Sequence, residues 1–139
     1  MITDLVSDAK ATFLAVMEDA TLSGLMGMTV NDPRVYWFFN GDARITEESP
    51  VYVTYSNLST PASGATSAPV LALNIWGKSI ETVEAVRNRL VALCERRTLT
   101  SPGGRTVYAK FINEQDQYQE QPKFAGKVLH LQLSFLTLV

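Results

Sequence analysis

One cysteine and one histidine among 139 residues leave little material for reactive chemistry. A single thiol cannot close an intramolecular disulfide or build a thiolate metal cage, and a lone imidazole leaves no ordinary zinc set. Cys94 falls within an apolar helical stripe, where a free cysteine behaves as a small buried hydrophobe. His130 has no Ser, Cys or Asp motif around it and reads as a solvated or interface residue. Excess positive charge is missing as well. The 12 Lys and Arg against 14 Asp and Glu give a formal net charge of −2, so no basic field is available to hold a nucleic-acid backbone. The N-terminal MITDLVSDAK has acids where a secretion signal needs a basic start, and no stretch approaches a membrane span. Synthesis and folding in a cytoplasm are expected, with no membrane partner, and Asn57-Leu58-Ser59 reads as a chance glycosylation sequon. There is no nucleophile elbow, metal cluster or convincing acid–base pair. The glycines of Thr100-Ser101-Pro102-Gly103-Gly104 follow a helix and enter a strand, the reverse of the order a phosphate cradle needs. The expectation is a non-enzyme with no catalytic residue, no cofactor and no metal.

The clearest signal lies between Pro69 and Arg97, PVLALNIWGKSIETVEAVRNRLVALCERR. Leu71, Leu73 and Ile75 alternate with Val70, Ala72, Asn74 and Trp76, as a pleated strand requires. Gly77-Lys78 breaks the strand, and Ser79 stands where its hydroxyl can accept from an orphan N–H of a helix beginning near Ile80. Ile80, Val83, Val86, Leu90, Leu93 and Cys94 then form one stripe. Glu81 and Glu84 sit toward its start and Arg96 and Arg97 toward its end, matching the helix dipole. Burying such a stripe contributes on the order of 10 kcal/mol before chain entropy is subtracted, so strand and helix must pack together.

In chain order, Ile2, Leu5, Val6, Ala9, Phe13, Val16, Met17 and Ala20 predict a helix over residues 2–20. From Thr21 to Asp32 the pattern dissolves into a loop ending in the turn Asn31-Asp32-Pro33. The aromatic run Val35-Tyr36-Trp37-Phe38-Phe39 favours a short core strand over a ligand platform. Residues 40–50, with Glu47 and Glu48, read as an acidic solvated loop. VYVTYS at 51–56 is a half-buried strand, residues 57–68 a flexible hairpin tip, and Arg105–Ile112 a strand with Val107, Ala109 and Phe111 on one face. NEQDQYQEQPKFAG, residues 113–126, looks like an extended arm or long hairpin. KVLHLQLSFLTLV closes the chain with alternation that places Leu129, Leu131, Leu133 and Phe135 on one side. A single α+β domain over residues 1–139 follows: one mostly antiparallel β-sheet with two α-helices packed on one face.

Two helices cannot cover both faces of such a sheet. With Leu71, Leu73, Ile75, Phe111, Leu129, Leu131 and Leu133 beneath them, the other face still carries Tyr52, Trp76, Tyr108, Ile112 and Val128 among polar groups. Apolar and aromatic groups rimmed by polar ones suit an oligomer interface, and the alternative is that loops 21–34 and 40–50 fold over them.

VYWFFNG, SPVYVTYSNLST, LALNIWGKSIETVEAVRNRLVALC and KVLHLQLSFLTLV together resemble the tail terminator, or tail-to-head joining, proteins of long-tailed bacteriophages, over most of residues 34–139. In that family a strand ending in an aromatic and a small residue, then Lys-Ser and a helix rich in Glu and Ala, recurs. The resemblance implies a virion structural protein. It would form a ring, usually hexameric, that caps the tail tube, ends its polymerisation and joins it to the head. Its partners would be further copies of itself, the tail tube protein and a neck or head-completion protein, with DNA only in passage through the lumen. A wall of acids and glutamines suits that passage, which makes Glu47, Glu48, Glu114, Asp116 and Glu120 channel-wall candidates; Ser59, Thr60, Ser63 and Thr66 are partner-contact candidates on the loop. The alternatives are another neck or connector protein, and a small ligand-binding module with its pocket under Trp37, Trp76 and Tyr52.

Overall fold

The computed structural model describes residues 2–27, 34–37, 51–58, 68–119 and 124–135. Among them the elements run α1 (Ile2–Val16), α2 (Ala20–Met26), β1 (Val35–Trp37), β2 (Val51–Asn57), β3 (Val70–Gly77), α3 (Ile80–Cys94), β4 (Arg97–Thr100), β5 (Thr106–Gln119) and β6 (Phe124–Phe135). The strands form a sheet in the order β1-β2-β3-β6-β5-β4, antiparallel except for the β1–β2 pair. The fold is therefore α+β with a mostly antiparallel sheet.

Register assigns the faces. Leu71, Leu73 and Ile75 lie opposite Leu131, Leu129 and Lys127 of β6, and opposite Asn57, Tyr55 and Val53 of β2. Val107 and Ala109 of β5 lie opposite Phe135 and Leu133. This side of the sheet forms one buried cluster with Ala9, Phe13 and Met17 of the α1 region, Leu22 and Met26 of α2, and Val83, Val86, Leu90 and Cys94 of α3. Phe13 meets the Tyr55 ring at a centroid distance of 5.0 Å, an aromatic contact that adds to simple burial. All the helices that contribute to the core thus serve one face.

Three local features depart from the sequence reading. The expected first helix ends at Val16, and a second helix forms in the stretch read as a loop: Asp19 accepts the Leu22 N–H at 3.1 Å and starts α2, and Gly27, at φ 68°, ends it. Residues 21–26 are thus helical, with Leu22 and Met26 buried one turn apart. Ser79 does stand at the start of α3, but its hydroxyl donates to Glu81 at 2.6 Å and caps no N–H. A nearby carboxylate is the stronger acceptor for that proton. Finally α3 stops at Cys94, Arg96 turns the chain at φ 54°, and Arg97 opens β4, so neither arginine complements the helix dipole. The loop 59–67 lies outside the described residues; of the expected arm 113–126, residues 113–119 complete β5 and 124–126 open β6.

On the side away from the helices, Trp76 lies over Gly126, its register partner. A Cβ at Gly126 would sit 2.7 Å from the indole and 2.8 Å from the Ile75 carbonyl oxygen. The carbonyl belongs to the β3 main chain and cannot swing aside. Gly126→Ala is therefore expected to cost about 1–3 kcal/mol, as overpacking does. Gly24→Ala, on an open helix position where a Cβ meets nothing, should gain up to about 1 kcal/mol. Urea unfolding midpoints of the two variants check both signs.

Candidate interaction surface

The helix-free face is defined by the other parity of each strand. Tyr52 pairs with Trp76, Thr54 with Asn74 and Ser56 with Ala72; Asn74, Ala72 and Val70 face Val128, His130 and Gln132; Tyr108 and Lys110 lie opposite Ser134 and Gln132. Past a bulge between Phe111 and Asn113, the residues on this side of β5 are Asn113, Gln115 and Gln117. Among the described strand residues this face holds no carboxylate and one lysine, Lys110. Its polar groups bond to each other: Gln117 Nε2 donates to Asn74 Oδ1 at 3.3 Å, and Asn113 Nδ2 lies 3.4 Å from His130 Nδ1. Depletion of charge beside aromatic groups is the composition of an interface centre.

The five interface candidates differ in exposure. Tyr108 and Ile112 are exposed, at 37% and 48%; Trp76 and Val128 are half-buried. Tyr52 is buried, and its phenol is pushed up to about 12 by loss of water. The two exposed candidates, Tyr108 and Ile112, both lie on β5, and Tyr108 and Trp76 stand at opposite ends of β6, level with Ser134 and Gly126. Of the pocket expected under Trp37, Trp76 and Tyr52, the Trp37 side chain lies outside the described residues.

The acids of β5 point the other way, toward α3. Arg87 binds Glu114 through two hydrogen bonds, Nε to Oε1 at 2.6 Å and Nη2 to Oε2 at 2.9 Å. Lys127 donates to Asp116 at 2.6 Å, and its ammonium lies 3.1 Å from Glu84 and 3.6 Å from Glu114. Glu114 and Asp116 are thus engaged by cations of their own chain, although 79% of the Asp116 side chain remains exposed. Glu47, Glu48, Glu120, Ser59, Thr60, Ser63 and Thr66 lie outside the described residues. Lys127 was not singled out from sequence, yet it shares the parity of Leu129, Leu131 and Leu133 and so was due to face inward.

A second ion pair fastens the helices. Arg89 donates from Nε and Nη2 to the two oxygens of Asp19, both at 2.9 Å. That guanidinium, with the Leu22 N–H, holds the Asp19 carboxyl down at about 2. Cys94 is buried and its thiol is pushed up to about 12 by desolvation, which keeps it protonated and inert. Among the described residues no group of three or more His, Cys, Asp or Glu is placed to hold a metal, and no helix is long and apolar enough to cross a membrane.

No family model matches the chain, and no curated protein matches it by sequence. Among solved structures, a chain in the virion of a native gene transfer agent particle is similar in fold. The TM-score is 0.62 at 16% identity, over 91% of this chain and 92% of that chain. At that identity the likeness is one of fold, and it takes in nearly the whole of each chain.

The charge network makes stability depend on pH in a definite direction. Arg87, then Lys127, holds the Glu114 carboxyl below its ordinary value, so its contribution is complete above the unfolded value near 4.5 and is lost as pH falls through the lower folded value. Asp19 behaves alike, down to about 2. Asp116, then Glu84, raises the Lys127 ammonium above 10.5, so its contribution is complete below 10.5 and is lost as pH rises through the folded value. A plateau of stability between these limits is expected. Lys127→Met should lower stability on that plateau by about 1 kcal/mol, because its carboxylate partners are partly screened by water. The deficit should shrink on acidification toward pH 3, as read from urea midpoints across the range.

Proposed function

We propose that this chain is a virion structural protein that closes into a ring, hexameric by family expectation, at the end of a phage-type tail tube. There it ends tube polymerisation and joins the tail to a neck or head-completion protein. The observation that carries the reading is the fold likeness to a gene transfer agent virion chain across nearly the full length of both. The sequence resemblance to tail terminators, made on separate grounds, points the same way.

The surface supports it physically. A ring of identical subunits joins one patch to a different patch on its neighbour. Tyr108 with the half-buried Trp76 and Val128 on a face without carboxylates, and Ile112 exposed at the β5 bulge, offer apolar contact at low desolvation cost. DNA would pass only in transit, since a net charge of −2 supplies no field to hold its phosphates.

Electron microscopy of the purified chain, alone and with the tail tube protein of the same virion, tests the reading. Discs with a central hole, and tubes that stop growing when the chain is added, are the expected results. A chain that neither forms discs nor binds and halts tubes would overturn it. Binding to the portal side instead would assign the chain to a connector. Tyr108→Glu with Ile112→Glu should abolish discs while leaving the unfolding midpoint within about 0.5 kcal/mol, the usual range for exposed substitutions.

A further inference from the structure

We infer that the stepped outer margin of the sheet, where β4 stops short of β5, pairs with the same margin of a second copy of this chain, β4 of each copy filling the step of the other. This goes beyond the ring reading. It concerns the free chain and uses the β4–β5 edge, whereas the ring reading uses the helix-free face.

Among the described residues the step is open. β4 pairs with β5 only from Thr106 to Ala109, while β5 continues to Gln119 with no strand on that side among the described residues. Ile112, Glu114, Gln115, Asp116 and Tyr118 are all exposed. Just past the end of β4, Glu95 Oε1 accepts the Phe111 N–H at 3.3 Å, and the bulge follows. The available edge therefore begins at Asn113.

That edge is already rigid. Asn113 is held at His130, Glu114 by Arg87, Asp116 by Lys127 and Gln117 at Asn74, each from the inner side. Adding a strand would order little that is not ordered, so main-chain pairing keeps most of its free energy. Long edges of this kind are usually blunted by charge, proline, a bulge or a cover; here the bulge precedes the open segment, the two carboxylates are paired with Arg87 and Lys127, and residues 113–119, NEQDQYQ, contain neither proline nor lysine.

The exposed side chains select the occupant. Asp116 and Tyr118 lie two residues apart on the helix side, with Tyr118 63% exposed. A matching strand needs a cation and, two residues on, an apolar group on the same face. β4 is such a strand: Arg97 and Leu99 share the helix side, opposite Ala109 and Val107. Arg97 of a second copy set opposite Asp116 brings Leu99 beside Tyr118 if the strands run parallel. The arginine also offsets the excess in the cluster of Glu84, Glu114 and Asp116 against Arg87 and Lys127.

Geometry permits this by one operation. Extending the sheet with helices on the same side requires a half-turn about the sheet normal. β4 and β5 are antiparallel within a chain, so that half-turn lays β4 of one copy parallel to β5 of the other. Being two-fold, it makes the contact twice, as a closed dimer requires.

Analytical ultracentrifugation of the purified chain across micromolar concentrations, with hydrogen exchange of residues 113–119, tests the inference. A dimer whose formation slows exchange in that segment is expected. Arg97→Glu should weaken it about tenfold or more, near 1.4 kcal/mol, and Asp116→Arg in the same chain should restore it. Thermal melts confirm that each variant folds; were either not to fold, the exchange result on the natural sequence decides. A monomer throughout, or a dimer with unchanged exchange at 113–119 and indifferent to Arg97→Glu, would overturn the inference. Rings that form regardless of Arg97→Glu would leave the ring reading standing without it, and a paired chain that never caps tubes would do the reverse.

Discussion

Register between β3 and β6 governs where nearly every other group lies, because neighbouring residues on a strand point to opposite faces and a slip of one would exchange them all. With Leu71 against Leu131 and Leu73 against Leu129, the leucines meet the helices. The same register sets Ile75 against Lys127, and so delivers a lysine to the edge of the core within reach of Glu84, Glu114 and Asp116. It also sets Trp76 against Gly126, where only a residue without Cβ lets the indole lie down. Core, ion cluster and the seat of Trp76 are consequences of one alignment, and none could shift without the others.

That alignment makes β5 a divider of chemistry. Beyond its bulge, amides at Asn113, Gln115 and Gln117 fall on one side and carboxylates at Glu114 and Asp116 on the other. The carboxylates find cations on α3 and β6, and the amides bond along the helix-free face. A segment of β5, residues 113–117, that looked uniformly polar in the sequence thus separates an ionic joint from an uncharged surface. A chain in a gene transfer agent virion shares this fold.

Much of this was legible from the residues. Alternation at Leu71, Leu73 and Ile75, and the helical stripe through Val83, Val86, Leu90 and Cys94, predict β3 and the start of α3 to within a residue, because burial imposes those periods. Two short elements, α2 and β4, were not legible. α2 has seven residues with a glycine among them, and it exists because Asp19 caps it and Leu22 and Met26 reach the core. β4 has four residues directly after a helix, and pairing with β5 makes it a strand, so its own composition could not announce it. Exposure on the helix-free face was half legible: parity assigns Tyr52 and Tyr108 to one side, but only three-dimensional packing separates a buried Tyr52 from an exposed Tyr108. The direction of Glu114 and Asp116 likewise depended on a bulge that resets parity at Phe111.

Asp19 holds two offices whose chemical demands differ. One oxygen receives the N–H that begins α2, while both together grip the guanidinium of Arg89 on α3. Asparagine could serve as the cap but would meet the guanidinium with an amide instead of a full carboxylate. Glutamate could keep the charge but is a poor cap, its longer stem carrying the oxygens past the first turn. A single position thereby ties the start of one helix to the flank of another, and the twenty-letter alphabet supplies one residue that does both.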